Sequence, residues 1–302
     1  MSFYQQPNGY ECGAFALKHG LALLGVFAEE RRIANLAGTT TAGTDETQLA
    51  RAATHYGCEL PTVRATDPDA ARHALTRELA EGRPVLACVD QWSHWIAIGS
   101  REGETFVVAD SAESDVLRLM EWDELQQRWG LHTREAGREQ CLFDLNPLIP
   151  RGTAAARATL TGEGVRYLVD GGRELVRDWS DYAEDLLHLG DTARGREDES
   201  TVEPLARLLG RHRQTWLDRV DGRGPSHREA ASIALRRIAL VAETYDVRVP
   251  RRHVRDALGL TESLAEAVVG RRWRSHARRT AYDLSTSGRV ESAESRRAIP
   301  KP

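Results

Sequence analysis

Apolar residues at Phe15, Leu17, Leu21 and Leu24 lie close to helical spacing and predict a first helix over 12–24. Three more helices are expected: a short one over 29–36, one over 45–56 and one over 67–81. Asp45 with Gln48 three residues later has the spacing of a capping box, and Gly82 with Pro84 ends the fourth helix. The pattern then shortens to strands. Val85–Val89, His94–Gly99 and Thr105–Ala109 are β-rich runs bounded by turn residues. A small helix over 120–129 and a closing strand over 141–145 complete the first half. Helices first and an antiparallel sheet afterwards make an α+β domain.

Pro147, Pro150 and Gly152 mark a boundary. Beyond it almost no strand signal remains, and an all-α domain is expected. Leu175, Trp179, Tyr182 and Leu186 form a buried helical stripe. A charged loop over 194–200 leads to a helix over 202–220. Ser226 and Glu229 have capping-box spacing ahead of the striped segment 233–245. A further helix starts at Pro250, breaks at Gly259, and resumes over 261–282. The expected organisation is a domain over 1–148, a helical substrate- or partner-binding domain over 149–284, and a disordered polar tail over 285–302.

The 302 residues are 41% apolar and 28% charged, a globular composition. No run is long enough to span a membrane, and the N-terminus lacks the basic stretch and apolar core of a signal peptide. A cytoplasmic protein is the expectation, with no pro-segment ahead of Cys12. Charge is uneven: residues 1–150 hold 13 Lys/Arg against 22 Asp/Glu, a net of −9, and the remainder is net +5. The clusters Arg251-Arg252-His253-x-Arg255 and Arg271-Arg272-Trp273-Arg274-x3-Arg278-Arg279 admit nucleic-acid contact, and the Gly259 break admits a helix-turn-helix. A solvated helix face with interleaved acids, or docking onto the acidic first half or onto a partner protein, explains the same residues. Cys12, Cys58, Cys88 and Cys141 form no C-x-x-C pair and have no His at zinc-finger spacing, so neither a metal nor a disulfide framework is expected. Cys58, Cys88 and Cys141 read as small core residues.

Cys12 differs because it opens a helix, where unsatisfied N–H groups and the macrodipole favour a thiolate. A nucleophilic thiol needs a base and the base an orienting group. His94 begins a strand and Asp110 ends the next, and a hairpin brings such ends side by side. Gln6, or its neighbour Gln5, supplies an amide that can donate to an oxyanion, together with the Cys12 backbone N–H. Taken singly, Cys12 is a buried thiol, His94 a packing residue and Asp110 an Asx-turn residue; the set of four points to acyl-transfer chemistry. His19 and His55 read as helix-surface residues. Trp92 and Trp95 read as core or cleft wall.

Gln6-x5-Cys12-Gly13-x-Phe15-Ala16-Leu17, then His94-Trp95, then Asp110, resembles the C39 family of cysteine peptidases, and the segment from Met120 to Gly130 is similar to the helix after that family's catalytic Asp. The resemblance covers about residues 1–145. It implies a papain-like fold, no cofactor, and a protein or peptide substrate; the best-known members cut bacteriocin precursors after a double glycine. Glu11 and Ser111 stand where the family often has Asp and Pro. The membrane helices and nucleotide-binding domain of transporter-linked members have no counterpart here. Hydrolysis, amide-forming acyl transfer by the same thiol, and a non-catalytic peptide-binding adaptor are the functions to separate.

Overall fold

The apolar run behind Cys12 folds as α1 (Cys12–Leu23), and every one of its residues is buried. This computed structural model describes residues 2–135, 138–152, 156–194, 202–220, 225–250 and 253–269. A helix buried on all sides is one enclosed by its protein, and this one carries Lys18 and His19 inside with it. Phe15, Leu17 and Leu21 are inaccessible to solvent, and each contributes about 1.5–3 kcal/mol by burial. Around α1 lie α2 (Glu30–Ala37) and α3 (Glu46–His55). The expected capping box forms: Asp45 accepts from the Gln48 N–H while the Gln48 side chain accepts from the Asp45 N–H, both at 2.8 Å. The strands β1 (Cys58–Glu59) and β2 (Val63–Ala65) lead to α4 (Pro68–Ala80), capped by Asp67.

β3 (Val85–Val89), β4 (His94–Glu102) and β5 (Thr105–Ala109) start where the sequence predicts them. They are followed by β6 (Leu117–Glu121), α5 (Trp122–Trp129), β7 (Leu131–Glu135), β8 (Arg138–Pro147) and β9 (Ile149–Pro150). The sheet runs β2-β8-β3-β4-β5-β6, with β7 also on β8, and every pairing is antiparallel. α1 packs on one face, against β3 and β4. The other face carries a core of Val85, Ala87, Val89, Ile96, Ile98, Phe106 and Val108 with Leu125 and Trp129 of α5. The alternation of side chains along each strand thus feeds two cores.

Contact density divides the chain into Met1–Ser180 and Asp181–Pro302. The division falls inside a helix and not at Pro147–Gly152, because the chain after the prolines turns back onto the sheet domain. The Ala156 and Ala158 N–H groups donate to Leu24 and Leu23, Ser100 Oγ donates to the Leu160 carbonyl, and α6 (Gly162–Gly171) packs on β5 and β6. Next comes α7 (Arg173–Arg194), in which Leu175, Trp179, Tyr182 and Leu186 are buried as their spacing predicts.

The second unit contains β10 (Val202–Pro204), α8 (Leu205–Val220), α9 (Pro225–Thr244), β11 (Arg248–Pro250) and α10 (Val254–Val269). It is not all helical. Val202–Pro204 pairs antiparallel with Arg248–Pro250, a contact more than forty residues apart in sequence that no local pattern announces. α9 already begins at Pro225, so Ser226 lies inside it, in keeping with the preference for Pro at a first helical position. α10 passes through Gly259 without the expected break, so the helix-turn-helix that such a break would admit does not form there. The Arg271–Arg279 cluster, Arg251, Arg252 and the tail over 285–302 lie outside the described residues. No described helix is long and apolar enough to cross a membrane.

Candidate active site

The turn before α1 is held by Asn8, whose Oδ1 accepts the Tyr10 and Glu11 N–H groups at 3.2 Å each. This leaves Cys12 as the first residue of α1, 4% exposed, with its sulfur on the free N–H end of the helix. Burial pushes the thiol up, but hydrogen bonding to the His94 imidazole, N–H groups of Trp95 and Gly13, and the charge of His94 bring it below the ordinary thiol value.

His94 is the first residue of β4, and Asp110 directly follows β5. The hairpin brings them together as expected: His94 Nε2 lies 2.7 Å from Asp110 Oδ1. A carboxylate only accepts, so Nε2 carries the proton and Nδ1 is the nitrogen left for Cys12. Burial opposes an imidazolium here, yet the Asp110 and Cys12 hydrogen bonds and charges raise His94 to about 9. Asp110 is fully buried. Against that burial, His94, Arg128 and the Ala112 N–H hold its carboxyl down at about 2. The lowered thiol and the raised imidazole both favour the thiolate–imidazolium form of the pair.

Gln6 is fastened beside this set. Its N–H donates to the Ser111 carbonyl at 2.9 Å, its Oε1 accepts from Ser111 Oγ at 2.6 Å, and its Nε2 donates to the Asn8 carbonyl at 2.6 Å. The Asn8 carbonyl, which only accepts, fixes which end of the amide is nitrogen, and the second amide hydrogen is available to a ligand. Gln5 instead reaches the Ala112 carbonyl from an exposed position. Trp95 is buried and donates to the Thr44 carbonyl at 2.9 Å, while Trp92 is half-buried with Arg64 over its ring. Cys88 and Cys58 are buried as expected, and Cys141 is only half-buried. Burial first, then the charge of Cys12, push the Cys88 thiol up to about 12. His55 is exposed. His19 is the correction among the histidines: it is wholly buried, stacked on Phe3 at 5.2 Å, and burial pushes it down to about 3. The enclosing Ser2–Phe3 segment, bonded to the carbonyls of Arg177 and Val176, was not legible from the helix alone.

Two features went unread in the sequence. Asp90, Gln91 and Trp92 take φ of 54°, 58° and 61° in succession. Each non-glycine residue there costs about 1–3 kcal/mol, a cost that functional sites commonly carry. The other is Arg128, whose Nη1 donates to Asp110 Oδ2 at 2.9 Å and whose Nε and Nη2 donate to the Asp90 carboxylate at 3.0 and 2.6 Å. Among the described residues no group of three or more His, Cys, Asp or Glu is placed to hold a metal ion.

Residues 1–132 match the peptidase C39 family. Among solved structures, the peptidase domain of Streptococcus ComA, a bi-functional ABC transporter involved in a quorum-sensing pathway, is 18% identical with a TM-score of 0.38, covering 49% of this chain and 98% of that one. A double glycine motif protease from an AMS/PCAT transporter, in complex with the leader peptide, is 18% identical with a TM-score of 0.35, covering 48% and 90%. The peptidase domain of Streptococcus mutans ComA is 17% identical with a TM-score of 0.33, covering 48% and 98%. A comparison with curated proteins finds no match.

Proposed function

We propose that the chain is a cysteine endopeptidase of the cytoplasm, acting on a protein or peptide. One observation carries this reading: the Cys12 thiol, at a helix N-terminus, is joined through His94 to a buried Asp110 at 2.7 Å. The Cys12 thiolate attacks the scissile carbonyl. Gln6 and the Cys12 N–H receive the oxyanion. The His94 imidazolium then protonates the departing amine, and as a neutral base it draws a proton from the water that opens the thioester. Asp110 keeps the imidazole in the tautomer that faces Cys12 throughout.

The match over residues 1–132 supports a peptidase, and the family resemblance makes a double glycine the first cleavage site to try. Glycines before the scissile bond suit a cleft too narrow for side chains. The helical second unit selects the substrate or a partner. A set of peptides with and without Gly-Gly, incubated with the full chain, tests this. Cleavage after the second glycine by wild type, absent in Cys12→Ala and His94→Ala, is expected. Equal cleavage by wild type and Cys12→Ala would defeat the proposal.

A further inference from the structure

Arg128 belongs to α5, on the opposite side of the sheet from Cys12's helix, and touches no atom that reacts. It nevertheless joins two parts of the site. Its guanidinium holds Asp110 through Nη1 and Asp90 through Nε and Nη2, and its carbonyl accepts the Asp90 N–H at 2.7 Å. Asp90 is the first of the three left-handed residues that lead into His94. Given the peptidase reading above, we propose that Arg128 is a positioning residue for the thiolate: it stops the Asp110 carboxylate from turning and pins the turn that delivers His94.

The geometry supports both halves. Asp110 Oδ1 already accepts from His94 and from the Ala112 N–H at 3.1 Å, and Arg128 takes Oδ2. A carboxylate bonded at both oxygens has one orientation. The turn has no glycine to favour positive φ. Besides the Arg128 contacts it is closed by Ser93 Oγ on the Asp90 carbonyl at 2.6 Å and by Gln91 Nε2 on the Gly130 carbonyl at 3.2 Å, and Gly130 also borders α5. A planar fork can serve two carboxylates at once, which an ammonium does poorly.

Charge and position make opposite predictions. The groups facing Asp110 are His94 from β4 and Arg128 from α5, with His19 of α1 farther away; Cys12 faces His94 and has Cys88 of β3 nearby. A cation beside Asp110 weakens its pull on the imidazolium. If Arg128 acted only as a charge, its removal would strengthen the ion pair. If it acts by position, its removal weakens the pair.

Iodoacetamide alkylation of Cys12, followed by peptide mass spectrometry from pH 5 to 10 in the full chain, separates these. At pH 6, Arg128→Met and Asp90→Asn should alkylate Cys12 at least fivefold more slowly than wild type, with Arg128→Lys between. All should converge at pH 10, where the thiol ionises without an imidazolium. Cys88 must stay unlabelled, as the sign of an intact core; if Arg128→Met labels it, Arg128→Lys and Asp90→Asn decide by the same criterion. Alkylation at pH 6 as fast as wild type or faster, or a slowing equal at every pH, overturns the proposal. Failure of the peptidase reading looks different: wild-type Cys12 would then react no faster than Cys141 at pH 6, and both inferences fall.

Discussion

Replacing Asp110 by Asn keeps the shape and removes the buried charge on which His94 depends. His94 stands at about 9 against an ordinary 6.5. Each unit corresponds to 1.36 kcal/mol, so after the opposing effect of burial the site still favours the imidazolium by about 3 kcal/mol, and its partners must supply more than that. Two partners supply this, and Asp110 outranks Cys12 in both hydrogen bond and charge. A Cys12→Ala background removes the second partner and isolates the first. There His94 should titrate at least one unit above 6.5, and adding Asp110→Asn should drop it below 6.5, because burial alone disfavours the cation. The assay is an NMR titration of the His94 ring in Cys12→Ala and in Cys12→Ala/Asp110→Asn. In the Cys12-containing enzyme the same change should lower kcat/KM by about 10²–10⁴ and move its alkaline limb to lower pH. A His94 pKa that stays within about 0.3 units after Asp110→Asn would refute the linkage reasoning.

Ser111→Ala removes one of the two bonds that hold the Gln6 amide, so kcat should fall, by up to about tenfold, while Cys12 alkylation stays at the wild-type rate, because the amide acts on the oxyanion and not on the thiol. Gly130→Ala would place a Cβ 2.6 Å from Cys141 Sγ and 3.4 Å from the Gln126 carbonyl; urea denaturation should show a loss of about 1–3 kcal/mol. Glu30 pairs with the buried Lys18 at 2.8 Å, and although burial opposes its charge, Lys18 and Tyr4 hold it down at about 2. Its folded pKa lies below its unfolded 4.5, so its stabilisation is present above pH 4.5 and is lost as pH falls through about 2. Glu30→Gln should therefore cost about 2–3 kcal/mol at pH 7 by leaving Lys18 unpaired, and the gap to wild type should shrink between pH 4.5 and 2.

The residues that sequence brought to the site are those whose placement is local or follows from one hairpin. Cys12 is legible from the helix behind it, and His94 and Asp110 from the ends of adjacent strands. Gln6 is legible as a type, but its anchoring by Ser111, 105 residues away, is not. Arg128 looks like any exposed position of a short amphipathic helix; its partners Asp110 and Asp90 lie 18 and 38 residues earlier. The pairing of β2 with β8 spans some 80 residues and leaves no period to read. His19 shows the same limit from the other side. Helical spacing places a residue on a face, but the Ser2–Phe3 segment that covers that face belongs to the tertiary fold. Gly259 is a weak helix former and not a stop, and its cost of about 1 kcal/mol is within what a helix of sixteen residues tolerates.

The central claim is that Cys12 is a nucleophile toward a peptide carbonyl. A short peptide chloromethyl ketone ending in Gly-Gly, mixed with the full chain, tests it by tandem mass spectrometry of the thioether that forms as chloride leaves. One adduct per chain is expected, located on Cys12 and abolished in Cys12→Ala and His94→Ala. No adduct on the wild-type protein, or one distributed equally over Cys12 and Cys141, would contradict it.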